Sequence, residues 1–375
     1  MSEFDAAVIA ARDAARAHGA ETERAGQLPD TLVDLFRRAG FFRLCVPRRL
    51  GGAEAPPRTL LETIERLATG DASAGWCVMI GATTGILSGW LPADGADEVF
   101  GDAGSIAVGV VAPRGHAERV GDGPDTELLI SGQWPFVSGC RGASWITVAV
   151  PVDGVPMNVF VPAADLEILD TWTVAGLQGT GSHDVRVAGA QVPIRRAACI
   201  WAGSPIEDGP LYAFPVIGLL ALAVAAVGLG TGRAALDEIR AVAEGKTPTG
   251  AANVLAERPG FHQDLARAEA GVRSARSWFY ETVDEVWEAV TAGDEVAVEQ
   301  RALLRLAATR ATWAAVEAVD MAYTSGGGTA LYARSPLQRQ FRDVHAITQH
   351  ITVAPPTWEL AGRILAGREL GNRVL

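Results

Sequence analysis

The chain has little cysteine and little positive charge. Neither a zinc ribbon nor a disulfide framework is indicated, because the cysteines lie far apart in 375 residues and form no C-x-x-C pair; they are Cys45, Cys77, Cys140 and Cys199. We therefore expect no metal site, and four buried thiols in a reducing cytoplasm. Lysine and arginine total 32 against 44 acidic residues, for a net charge of -12, and they are dispersed. Nucleic-acid binding needs clustered positive charge, so it is excluded as the main task.

Charged residues are absent altogether from Leu211 to Gly232, a stretch of 22 residues. That length is enough to span a bilayer. However, Pro215 lies near its start, glycine and alanine dominate it, and no aromatic or basic belt flanks it. We therefore predict a helix buried on all sides of a bundle, with no membrane contact. The N-terminus also lacks the basic start and apolar core of a signal peptide, which again favours the cytoplasm.

Apolar residues are plentiful, at 49% of the chain, which is enough for a large core in two or three domains. Helical spacing marks four segments in residues 1–104, namely 3–18, 30–40, 58–68 and 71–90. Short runs rich in Val, Ile and Leu follow in residues 105–200, at 106–112, 127–131, 145–150, 157–161 and 183–187. Long helical patterns return in residues 201–375, at 211–244, 261–291, 294–324 and 336–368. We predict an α+β protein with an N-terminal helical domain, a central antiparallel β-barrel or sandwich, and a C-terminal four-helix bundle.

Two motifs within the β-region could face a ligand. In Ser131-Gly-Gln-Trp-Pro-Phe-Val-Ser-Gly139, Trp134 and Ser138 are four residues apart, so an extended strand would point both side chains to the same side. On spacing alone, an ordinary strand with a core tryptophan is the stronger reading. The second motif is the glycine-rich segment 172–184, where Gly181 would permit close backbone approach and Ser182 could donate hydrogen bonds.

The last third of the chain carries a third motif. Three consecutive glycines at 326–328 are followed by Leu-Gln-Arg-x-x-Arg-Asp, then six residues, then His350. On a continuous helix from residue 336, Asp343 and His350 share one face, while His345 points about 140° away from His350. The two histidines are therefore not expected to form one site.

This third motif resembles the C-terminal domain of flavin-dependent monooxygenases built on the acyl-CoA dehydrogenase fold. The two β-region motifs resemble the same family. So do two segments of the N-terminal region, Arg-Leu-Gly-Gly at 49–52 and Asp-x-Ser-x-x-Trp at 71–76. The resemblance implies a two-component enzyme that takes reduced FMN or FAD from a separate reductase. With O2 as co-substrate, such an enzyme hydroxylates or N-oxygenates a small organic substrate through a C4a-hydroperoxyflavin. It also implies a homotetramer whose cofactor sites straddle subunits.

The resemblance implies roles for individual residues. Trp134, Ser138 and Gly139 would lie along the flavin, with the Ser138 hydroxyl near N5. Gly181 and Ser182 would turn beneath the cofactor, Gly326 and Gly327 would allow its close approach, and Arg258 would pair with its phosphate on the same or a neighbouring subunit. His350 would lie at the cofactor and manage protons on the substrate, as a base or as a donor. Asp343 would either orient His350 or form a structural ion pair with Arg342. For Ser73 and Trp76, the small residues of their helix favour core packing over ligand contact.

Two alternatives stay open. The first is an FAD-dependent acyl-CoA dehydrogenase-like oxidoreductase, which needs a carboxylate base over the flavin. The family alignment puts that carboxylate at Ile351, and the other position used for it falls in the charge-free stretch 211–232, so the base is missing. The second is a flavin-free or scaffolding protein of the same fold.

Overall fold

A computed structural model of the protein describes residues 2–123 and 126–369. Helices come first, then strands, then helices again, which confirms the predicted α+β order of a helical, a β and a second helical part. The helices give way to strands between Phe100 and Ala107, and the strands give way to helices between Ala198 and Pro210. The division into separate domains at residues 104 and 200 stays a prediction.

The N-terminal part contains five helices, α1 (Glu3–Ala25), α2 (Asp30–Arg38), α3 (Pro57–Ala68), α4 (Ala72–Thr84) and α5 (Ala93–Phe100). The sequence predicted all except the short α5. Asp71 begins α4, because its carboxylate accepts the N–H of Ala74 over 3.0 Å. Nearly every residue of α4 is buried, and a side chain at Gly81 would overlap the ring of Phe42. The small residues of α4 therefore let neighbouring elements pack closely against it.

The central part is a sandwich of two four-stranded sheets. Its strands are β1 (Ala107–Gly109), β2 (His116–Val120), β3 (Glu127–Val137), β4 (Trp145–Val152), β5 (Val155–Pro162), β6 (Glu167–Leu169), β7 (His183–Pro193) and β8 (Ala197–Ala198). One sheet has the order β1-β4-β5-β8 and the other the order β2-β3-β7-β6. All described pairs are antiparallel except β1 with β4. The five predicted strands are present, and β2, β6 and β8 were missed because they are short or largely polar.

The C-terminal part is built from α6 (Pro210–Ala213), α7 (Val216–Gly245), α8 (Pro259–Ala292), α9 (Val298–Gly326), α10 (Pro336–Ile347) and α11 (Pro356–Leu365). By length and composition α7 could cross a membrane, yet 78% of its apolar window is buried inside the protein. It packs against α9, α3, α10 and α4 of the same chain. The predicted interior helix is therefore confirmed, and its own chain already covers it.

The single helix predicted over 336–368 is wrong. Helix α10 ends at Ile347, a turn segment covers residues 348–355, and α11 begins at Pro356. Consecutive prolines at 355 and 356 lack the N–H groups that a continuous helix needs, and their rings would clash with the preceding turn. His350 consequently lies in the turn segment, so the helical-face relation expected between Asp343 and His350 does not hold.

Candidate functional site

Three buried hydroxyl groups form a continuous chain of hydrogen bonds where the sandwich meets the helices. Ser138 follows β3, and its Oγ lies 2.7 Å from Ser182 Oγ, just before β7. Ser182 Oγ lies 2.6 Å from Thr180 Oγ1, which donates to Leu177 O over 2.8 Å. We call Ser138, Ser182 and Thr180 the hydroxyl chain. It joins two motifs that are more than 40 residues apart in sequence.

A β-bulge directs Ser138 to this position. The register of β3 against β7 shifts between Trp134 and Val137, and Phe136 adopts a left-handed φ of 66°. Trp134 and Val137 both pack into the sandwich core, where the Trp134 indole N–H donates to Ala149 O over 2.8 Å. The expectation that Trp134 and Ser138 share one side is therefore wrong, because one extra residue breaks the alternation. With 0% of Trp134 exposed, its ring lies in the core and not on an open wall.

Trp76 connects the hydroxyl chain to His350. Its indole N–H donates to Ser138 Oγ over 3.0 Å, and its ring meets the His350 ring edge-on, with centroids 5.7 Å apart. We expected Trp76 to pack in the core, with ligand contact as the alternative, because a helix of small residues usually lets other elements pack on it. The available signal was the capped start at Asp71, which fixes the phase of α4 and so the direction of Trp76.

The surroundings of His350 keep its ring neutral. Burial and the positive charge of Arg305 lower the pKa of His350 to about 4. Its Nδ1 accepts the N–H of Thr352 over 3.4 Å and lies 2.8 Å from the Thr352 hydroxyl. We assign the proton of the neutral ring to Nε2, because the backbone N–H of Thr352 can only donate and is directed at Nδ1. His350 therefore offers an N–H donor.

Asp343 does not contact His350. Its Oδ1 accepts the N–H of Leu177 over 2.6 Å, and burial with the nearby charge of Asp71 raises the pKa of Asp343 to about 7. The neighbouring Arg342 forms an ion pair with Glu23 and donates to Ala175 O over 2.6 Å. Neither of the two expected roles of Asp343 is found. Asp343 and Arg342 instead anchor the segment 172–184, which carries part of the hydroxyl chain.

Two glycines shape the backbone around the hydroxyl chain. Gly139 has φ 72°, and its N–H donates to Thr180 O over 2.8 Å, which ties the end of β3 to the turn before β7. Gly181 has φ 51° and lies between Thr180 and Ser182. Both conformations favour glycine. These residues are thus part of the frame that holds the hydroxyls.

Of the remaining candidates, Arg258 and Gly327 lie in a separate groove of about 580 Å³, whereas Gly326 is buried and packs against Leu337, so it does not offer the expected open approach to a cofactor. Arg258, Lys246, Gly327 and Gly328 line this feature, which we call the glycine-turn groove. Lys246 is the only lysine in the 375 residues, and its ammonium donates to Gly326 O over 2.5 Å and to a neighbouring threonine hydroxyl over 2.8 Å. Gly327 has φ 50°, which favours glycine.

Arg258 is exposed, and no residue in the described part of the chain forms an ion pair with it. His345 lies neither beside the hydroxyl chain nor in the glycine-turn groove. Its Nε2 lies 2.9 Å from Asp320 Oδ1, and its ring packs on Phe341.

The donor groups at both places fit a flavin. An exposed guanidinium, an ammonium and an open glycine backbone in the glycine-turn groove suit a phosphate. The hydroxyl chain and the His350 N–H are neutral polar groups beside the Trp76 ring, which suits hydrogen bonds to a flavin ring and a small substrate. One part of the chain thus offers charge for a phosphate and the other offers hydrogen bonds for reacting atoms.

Comparisons with known proteins point in the same direction. Residues 5–99 match the model of the acyl-CoA dehydrogenase N-terminal domain, and residues 222–355 match that of the acyl-CoA dehydrogenase C-terminal domain. The chain is 35% identical over 372 residues to indole-3-acetate monooxygenase of Pseudomonas putida, covering 98% of this chain and 94% of that protein. It is 28% identical to the FADH2-dependent resorcinol hydroxylase, oxygenase component, of Rhizobium sp. (strain MTP-10005), covering 97% and 93%.

Among solved structures, the chain resembles 3-HSA hydroxylase from Rhodococcus sp. RHA1. The TM-score is 0.92 at 28% identity, and the match covers 99% of this chain and 98% of that one. Both the helical parts and the sandwich are therefore shared with that hydroxylase.

Proposed function

Because the chain belongs to the oxygenase components of two-component flavin-dependent monooxygenases with the acyl-CoA dehydrogenase fold, we propose that its substrate is a small electron-rich aromatic compound. Reduced FMN or FAD supplies two electrons and activates O2. One oxygen atom enters the aromatic C–H bond to give a hydroxyl group, and the other leaves as water. Similarity to two relatives, an indole-3-acetate monooxygenase and a resorcinol hydroxylase, supports an indole or phenol ring.

One observation carries this proposal, namely that Ser138, Trp76 and His350 meet although they come from three separate parts of the chain. In the proposed site Ser138 would hold the flavin ring through a hydrogen bond, at N5, and His350 would donate its Nε2–H to an oxygen atom of the substrate or of O2. A neutral donor suits a developing negative charge, because it stabilises the charge without a proton transfer. Ser138 and Trp76 are buried, and we propose that this burial limits the access of water, which would otherwise favour loss of hydrogen peroxide.

The glycine-turn groove is proposed to hold the flavin phosphate through Arg258 and Lys246. We propose that the groove of one subunit serves the hydroxyl chain of a neighbour in a homotetramer. Exposed Leu331 (70%) and Tyr332 (55%), which follow the three glycines, support a subunit contact beside the groove. A separate flavin reductase would supply the reduced flavin in the cytoplasm.

A dehydrogenase function has less support. The position aligned with the dehydrogenase carboxylate is Ile351, whose side chain is 82% exposed in the turn segment after α10. An apolar, exposed residue cannot remove a proton over a buried flavin ring.

Anaerobic mixing with reduced flavin tests the proposal. The protein is loaded with reduced FMN, and separately with reduced FAD, and is then mixed with oxygen and a panel that includes indole-3-acetate and resorcinol. Flavin absorbance, hydrogen peroxide and hydroxylated products are followed. We expect slower flavin reoxidation than in free solution, and a product heavier by one oxygen atom with at least one aromatic compound.

A matched pair of serine variants controls the experiment. Ser138→Ala should raise the peroxide yield, whereas Ser131→Ala, on the strand that precedes Ser138 and outside the hydroxyl chain, should not. Reoxidation at the rate of free flavin with no aromatic product would refute the proposed function. Equal effects of the two variants would remove Ser138 from its assigned place.

A further inference from the structure

The hydroxyl chain lies between a group that only donates and a group that only accepts. At one end Trp76 Nε1–H donates to Ser138 Oγ over 3.0 Å. At the other end Leu177 O accepts from Thr180 Oγ1 over 2.8 Å. A hydroxyl has one proton, so the bond to the carbonyl uses the only proton of Thr180.

The bond from Thr180 to Leu177 O fixes the direction of the two other hydrogen bonds, between Ser182 and Thr180 and between Ser138 and Ser182. Thr180 has no proton left, so Ser182 is the donor across the 2.6 Å between them. Ser182 then has none left, so Ser138 is the donor across the 2.7 Å to Ser182. Ser138 therefore receives one hydrogen bond from Trp76, gives its only proton to Ser182, and keeps a single free lone pair.

We infer that this proton order makes Ser138 an acceptor only, and that Ser182 and Thr180 thereby set a preference for reduced over oxidised flavin. The inference rests on the proposed function, in which Ser138 meets flavin N5. In a reduced flavin N5 carries a hydrogen and donates, whereas in an oxidised flavin N5 carries a lone pair and accepts. Ser138 can bond to the first and faces the second with lone pair against lone pair. Ser182 and Thr180 are positioning residues, because they act through Ser138.

Reversal of the chain is unfavourable in the geometry observed. If Ser138 donated to a ligand while Thr180 donated toward Ser182, then Thr180 Oγ1 and Leu177 O would lie 2.8 Å apart with no proton between them. Leu177 O would keep the Thr180 N–H and the Trp172 indole N–H, each at 3.1 Å, but the two facing oxygens would repel each other in a buried place. The anchoring of the Leu177 N–H by Asp343 Oδ1 over 2.6 Å keeps this carbonyl in place.

Tighter binding of reduced than of oxidised flavin would help an enzyme that receives its flavin by diffusion. The reduced form must be captured from a pool that also contains the oxidised form, and the oxidised form must leave after each turnover. A hydroxyl that bonds only to N5–H favours both events. Its expected size is about tenfold in the ratio of the two dissociation constants, the effect of one hydrogen bond between neutral groups.

Four variants test the inference by flavin binding. Thr180→Val removes the acceptor of the Ser182 proton, and Ser182→Ala removes the acceptor of the Ser138 proton. In both, Ser138 becomes free to donate to oxidised N5. Thr180→Ser keeps the hydroxyl, and Thr83→Val removes a buried hydroxyl that bonds only within α4, to Met79 O and Ile80 O. Dissociation constants for oxidised and anaerobically reduced FMN and FAD are measured for each protein.

We expect the ratio of oxidised to reduced dissociation constants to fall about tenfold in Thr180→Val and Ser182→Ala, mainly because the oxidised flavin binds more tightly. Thr180→Ser and Thr83→Val should keep the wild-type ratio. An unchanged ratio in both disruptive variants, with reduced flavin still bound, would overturn the inference. If the wild type bound neither reduced flavin, the proposed function would fail instead.

A neutron structure of the flavin-free protein reads the proton order directly and needs no bound flavin. A deuteron on Ser138 Oγ that points to Ser182 supports the inference. A deuteron on Ser182 Oγ that points to Ser138 overturns it, whatever the protein binds.

Discussion

Replacement of His350 by glutamine and by alanine separates a hydrogen-bond donor from a general base. A pKa of about 4 leaves roughly one ring in a thousand protonated at pH 7, and the Thr352 N–H occupies Nδ1, so the working group is Nε2–H. Glutamine can place an N–H close to the position of Nε2, whereas alanine cannot. A lost hydrogen bond to a charged acceptor costs about 1.5–3 kcal/mol, or roughly 10- to 100-fold in rate.

We therefore expect His350→Ala to lose roughly 10- to 100-fold in product formed per reduced flavin, and His350→Gln to recover most of that loss. Product and hydrogen peroxide are measured together from pH 5.5 to 8, where the wild-type yield should show no break caused by His350. A general base would be worth about 10²- to 10⁴-fold and could not be replaced by an amide. Equal deficiency of the two variants, or a loss near the upper end of that range in both, would refute the donor role.

Three further predictions concern the groove, the buried carboxyl and the indole. Arg258→Ala should weaken binding of reduced FMN about tenfold, less so in high salt, while Arg267→Ala on the exposed face of α8 should not; equal dissociation constants would remove Arg258 from the phosphate site. Because burial raises the pKa of Asp343 to about 7, its stabilising protonated form is lost as pH rises through 7. The midpoint of thermal unfolding should then fall between pH 5 and 8 in the wild type relative to Asp343→Asn, and parallel curves would contradict this. Trp76→Phe keeps a ring beside His350 but removes the N–H to Ser138, so peroxide release should rise several-fold; an unchanged peroxide yield in a folded variant would count against the contact.

The fold could be predicted from the sequence because its signals are local. Apolar spacing marked the helices up to residue 90 and the long helices after residue 210, and short β-branched runs marked the main strands. The strands that were missed and the helix that was wrongly predicted as continuous also have local causes. β6 and β8 are too short to show alternation, and the prolines at 355 and 356 divide a segment whose apolar spacing looked continuous.

The candidate site could be predicted only in part. Motifs drew attention to Ser138, Ser182 and His350, which the structure places around Trp76 and the hydroxyl chain. Spacing failed for Trp134, because the bulge after it cannot be read from alternation alone. Arg258, Gly327 and Gly328 lie in a groove of their own, and a neighbouring subunit is needed in the proposal to bring them to the same flavin.

The sequence by itself determined the class of each segment, the family resemblance and the absence of a dehydrogenase base, since each of these depends on residue types at short spacing. Only the tertiary structure decided that the indole of Trp76 reaches Ser138, 62 residues away, and that the carboxyl of Asp343 holds Leu177 and not His350. Contacts of this kind depend on how whole elements pack. The direction of a hydrogen-bond chain depends further on which groups stand at its two ends, and no local pattern records that.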